Sequence, residues 1–70
     1  MQLKPLAQFT VPLGGQQIEL QEVDFETGGM PLLRLRIREG KRFTIFDIDA
    51  GTARSWADAM NAWALAQREA

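Results

Sequence analysis

The run Leu33-Arg34-Leu35-Arg36-Ile37-Arg38 alternates apolar and cationic residues without a break. A period of two is the mark of a β-strand, whose successive side chains point to opposite faces. This strand therefore offers one face to a core and the other to water or a polar partner. It also needs neighbours to complete its hydrogen-bond ladder. Gly14-Gly15, Gly28-Gly29 and Gly40 lie between the apolar stretches and read as turns. Connections this short suit antiparallel hairpins, since parallel crossovers need a dozen or more residues.

Four strands follow, over about residues 6–11, 16–25, 31–38 and 42–48. In the first, Ala7, Phe9 and Val11 alternate with Gln8 and Thr10, and Pro12 ends it or marks an edge. In the second, Ile18 and Leu20 share one parity while Val23 and Phe25 share the other. One extra residue near Gln21-Glu22 would bring them to one side, which predicts a β-bulge there. The fourth is apolar on both parities, Phe43 and Ile45 against Phe46 and Ile48. A three-residue loop Glu39-Gly40-Lys41 sets Ile37 opposite Phe43 and Leu35 opposite Ile45, leaving Phe46 on the arginine face opposite Arg34. A two-residue loop reverses the faces and brings Arg36 beside Phe43. The three-residue loop is expected because it gathers the apolar residues on one side.

A helix is predicted over about residues 50–67. Asp49 suits the N-cap, where a carboxylate meets the positive end of the helix dipole. Ala53, Trp56, Ala57, Met60, Trp63 and Ala64 recur at helical spacing and form one stripe, with Arg54, Asp58, Asn61 and Leu65 on the far side. The architecture is α+β: a four-stranded antiparallel β-meander followed by one C-terminal α-helix packed on one face, in a single domain over residues 1–70.

Seventy residues make a marginal core, one that rarely supplies more than about 3–5 kcal/mol unaided. Disulfides, a metal or a partner subunit are the usual supplements. The chain has no cysteine and no histidine, so disulfides and Cys/His zinc sites are excluded. The same absences, with that of tyrosine, remove the common general bases and nucleophiles. Ser55 is the one serine and has no histidine to activate it. The expectation is no enzyme, no catalytic residue, no metal and no cofactor. Asp47 and Asp49 form a pair on one strand parity, a weak signal for a hard cation. Capping by Asp49 and solvation of Asp47 account for it better.

No apolar run approaches a membrane span of roughly 18 residues, and Met1 to Pro5 lacks an apolar leader segment. The expected compartment is the cytoplasm and the expected partner is not a membrane. Arg34, Arg36 and Arg38 stand about 7 Å apart on one face and could track a phosphate backbone, with Phe46 as a stacking platform. Glu19 and Glu22 on the neighbouring strand oppose them, and the net charge of −1 gives no cationic field. A paired, solvated charge face is the expected reading. Apolar residues exceed what one helix covers, which marks Leu32, Phe46, Ile48, Trp63 and Leu65 as interface candidates. Trp56 and Trp63, seven residues apart, share a helix face and divide between core and partner.

The stretch from Gly28 to Gly40, the run Arg42-Phe43-Thr44-Ile45-Phe46-Asp47-Ile48-Asp49, and the ending Ala53-Arg54, Trp56-Ala57 and Trp63-Ala64 resemble a small bacterial family that is a domain of unknown function. That resemblance implies no activity. In topology alone, four strands and then a helix are similar to the Whirly-like single-stranded-DNA-binding coactivators, which dimerise. Their binding strands are lysine-rich and this chain has two lysines, Lys4 and Lys41, so no binding residue carries over. The functional expectation is a non-enzymatic interaction or assembly module, a homo-oligomer or a small subunit of a larger complex. The alternative is a single-stranded nucleic-acid binder using the arginine face.

Overall fold

The computed structural model describes residues 1–26 and 28–67. Four strands, β1 (Gln2–Thr10), β2 (Gln17–Asp24), β3 (Leu32–Glu39) and β4 (Arg42–Ile48), precede one helix, α1 (Ala50–Ala66). The strands form one sheet in the order β1-β2-β3-β4, every neighbour antiparallel. This is the expected α+β meander with a helix on one face.

The β3–β4 hairpin differs from the expected register. Glu39 pairs with Arg42, so the loop has two residues, Gly40 and Lys41. Leu35 then lies opposite Phe46, Arg36 opposite Ile45, and Arg38 opposite Phe43. The cause is local backbone chemistry. Gly40 has φ +61 and, among the described residues, none but glycine has positive φ, the pattern of a two-residue turn with glycine in first place. Phe46 and Ile48 thereby join the helix side with Leu33, Leu35 and Ile37. Phe43 and Ile45 move to the arginine side, away from the helix stripe they were expected to meet.

The predicted bulge in β2 is also absent. Gln17 to Val23 pair with β3 without a shift. The irregularity lies in β1, between Pro5 and Ala7, where Leu6 has no partner. Proline has no N–H to donate, so the ladder breaks beside Pro5, and an edge strand tolerates this. Because β2 stays regular, Glu22 falls on the helix parity beside Leu33, away from the arginines. Val23 falls on the arginine parity beside Leu32, and it is fully buried. The first strand also begins earlier than expected, at Gln2.

The helix follows β4 through Asp49 alone. The Asp49 carboxylate accepts from the backbone N–H of Gly51 at 3.1 Å and of Thr52 at 3.3 Å, and Thr52 Oγ1 donates to it as well. Two first-turn donors are satisfied, as an N-cap requires. Phe46 stacks on Trp56 with ring centroids 6.1 Å apart and planes at 14°. Beyond this contact the helix is loosely held: none of its residues is buried. Among the described residues only Val23 and Leu35 form a buried apolar core. The molecule is 50 Å long, whereas a nine-residue strand spans about 31 Å and a 17-residue helix about 26 Å. The first half of the helix, with Ala53, Trp56, Ala57 and Met60, faces the sheet across a gap, and Trp63 and Leu65 farther along are exposed.

Candidate functional site

The two faces of the sheet have different chemistry. On the helix side an open groove of about 260 Å³ runs between sheet and helix. Phe9 of β1, Ile18 and Leu20 of β2, Leu33, Leu35 and Ile37 of β3, and Ile48 of β4 form its floor. Ala53, Trp56, Ala57 and Met60 form its wall. Every lining side chain is apolar. The pairings Phe9–Ile18, Ile18–Ile37, Leu20–Leu35 and Leu33–Ile48 place these residues on one parity across four strands. A filled core would seal such a surface. Here Phe9 remains 53 % exposed and Met60 54 % exposed.

The other side carries the arginines. Arg34 is bidentate on Asp47, Nε to Oδ1 at 2.8 Å and Nη2 to Oδ2 at 3.2 Å. This bond holds the Asp47 carboxyl below the usual carboxylate range and raises Arg34 above its ordinary value. Arg36 Nη1 donates to Glu19 Oε1 at 3.3 Å. Its guanidinium also lies 4.7 Å from the Phe43 ring centroid, a cation–π distance. Arg38 flanks the same ring at 5.9 Å and donates through Nε to the Gly40 carbonyl at 3.0 Å. Gln8, Gln17, Glu19, Arg36, Arg38 and Phe43 surround a shallow polar hollow of about 170 Å³.

The candidate residues separate accordingly. Phe46 and Ile48 are on the helix side, and Phe46 is partly covered by Trp56. Leu32 opens β3 on the arginine parity, so it does not share a face with them. Trp63 and Leu65 stand on the C-terminal half of the helix, 68 % and 77 % exposed. Glu19 meets Arg36 as expected, while Glu22 belongs to the helix side. Phe43, not Phe46, is the aromatic ring among the arginines. Phe9, Ile18, Leu20 and Met60 were not candidates by sequence, yet they carry the groove. The signal for Phe9, Ile18 and Leu20 was shared parity with Leu35, readable once the strand pairing is known, and that for Met60 was its place in the helical stripe.

Asp47 and Asp49 have structural occupations. Asp47 holds Arg34, and Asp49 caps the helix with its carboxyl drawn below the ordinary value chiefly by the Thr52 hydroxyl bond and then by backbone N–H bonds. Among the described residues no three acidic side chains gather closely enough to hold a metal ion. No helix there is long and apolar enough to cross a membrane.

No curated protein and no solved structure matches the chain. The likeness to Whirly-type coactivators therefore rests on element order alone. The profile of one family, described as a family of unknown function (DUF6967), matches residues 1–66. That span takes in all four strands and the whole helix, and the chain belongs to this family.

Proposed function

We propose that the chain is a non-enzymatic protein-interaction or assembly module that docks through the groove between its helix and sheet. One observation carries the reading: seven sheet residues and four helix residues, all apolar, line a groove the chain itself leaves open. Soluble proteins rarely leave large contiguous apolar surface uncovered without an interaction to serve. The partner covers this face as a self-associated copy or as the larger subunit of a complex.

The arginine face supports this reading over nucleic-acid binding. Two of its three guanidiniums, Arg34 and Arg36, already sit on carboxylates. A phosphate backbone would have to displace Asp47 and Glu19 to reach them.

Sedimentation and an apolar fluorescent dye test the proposal together. A covered groove gives a sedimenting mass above 7.9 kDa. An open groove gives dye binding that Phe9→Glu abolishes and Phe43→Glu, on the opposite face, does not. A 7.9 kDa species without dye binding would overturn the proposal.

A further inference from the structure

We infer that the occupant of the groove is a second copy of this chain, the exposed C-terminal half of each helix lying on the open part of the other's sheet. The inference rests on the groove being an interaction surface and names what fills it.

Area argues first. The chain exposes 5884 Å². A compact monomer of this mass exposes about 4,400 Å². The excess, about 1,500 Å², falls within the per-subunit share of an obligate dimer interface, which buries about 2,000–5,000 Å² in total. Dimensions agree. The radius of gyration is 14.2 Å. A compact chain of 70 residues has about 11 Å, and one of 140 residues about 14 Å. Each copy is as extended as a whole compact dimer, the expected geometry when two copies interlock.

Complementarity within one chain names the partner. The sheet presents Phe9, Ile18 and Leu20 at the groove, with Phe9 53 % exposed. The helix presents Met60 and Trp63, 54 % and 68 % exposed. One chain thus holds an uncovered sheet and an uncovered helix, both apolar. A two-fold axis satisfies both in a single closed step, because each copy contributes what the other lacks. Among the described residues no charged side chain lines the groove, so nothing they show there calls for a partner of opposite charge.

The chain has no cysteine, so single thiols can be placed at will. Sedimentation of the unmodified protein should give twice 7.9 kDa. Phe9→Cys chains mixed with Trp63→Cys chains and oxidised should form a dominant 9–63 cross-link. Leu13→Cys chains, whose thiol stands in a turn outside the groove, should not cross-link to Trp63→Cys. Any other mass overturns the two-fold pair. If that species is a 7.9 kDa monomer that binds the dye, the groove remains a docking site for a foreign protein. A dimer in which the 9–63 cross-link does not exceed the Leu13 control overturns the helix exchange.

Discussion

Leu35 is one of two buried apolar side chains among the described residues, 7 % exposed on the floor of the groove. Leu35→Ala should cost about 2–5 kcal/mol, which is most of what a small core supplies, and chemical denaturation will show a largely unfolded population. Asp47 and Asp49 act at the same scale through protonation. Hydrogen bonds from Arg34 and from Thr52 hold their carboxyls below the ordinary value of 3.8. A carboxyl whose folded pKa is depressed stabilises the fold above its unfolded value and loses that contribution as pH falls through the folded one. The midpoint of thermal unfolding should therefore hold steady toward pH 4 and decline below about 3.8. The Asp47→Asn, Asp49→Asn double variant should show a shallower decline over the same range.

At the scale of elements, the strands were legible wherever one parity was apolar and the other was not. The alternation of β3 permits one reading. β4 permits two, since Phe43 and Ile45 are as apolar as Phe46 and Ile48, and the loop alone decides between them. Grouping apolar residues favoured three residues, but turn chemistry pointed the other way. A three-residue hairpin of the common kind wants its left-handed residue last, where Lys41 stands; a two-residue loop with one such residue wants glycine first, where Gly40 stands. Pro5 likewise announced the irregularity of β1, while mixed parity drew it to Gln21-Glu22. The groove was less legible than the strands, because its floor depends on pairings that span the whole sheet. Gly40, at φ +61 with open space around it, isolates the conformational cost. Gly40→Val should destabilise by about 1–2 kcal/mol, and Gly40→Asn by clearly less, in equilibrium unfolding.

For the whole molecule, charge and surface point to different partners. The net charge is −1 and the arginine ladder is largely neutralised by its own neighbours. Fluorescence anisotropy should find negligible affinity for a single-stranded oligonucleotide at physiological salt. Binding that weakens steeply with added salt, and disappears in the Arg34→Ala, Arg36→Ala double variant, would instead identify a phosphate-tracking face. The exposed apolar surface is more widely spread: Phe9, Trp56 and Met60 at the groove, Trp63 and Leu65 farther along the helix, and Phe43 and Ile45 among the arginines.

The nearest-neighbour order of the strands also has a temporal consequence. Each strand pairs with the one made just before it, so the sheet closes through short loops and waits for nothing distant. As a ribosome releases the chain from its N-terminus, the hairpins can form before the helix has emerged. The helix comes last and finds little on its own sheet to hold it. If two copies pair as inferred above, rapid refolding should show a concentration-independent phase that restores the sheet, followed by a slower phase that accelerates with protein concentration as the tryptophans lose contact with water. On that pairing, a cell making few copies would hold a finished sheet with an unsettled helix, and abundance itself would decide when the protein is complete.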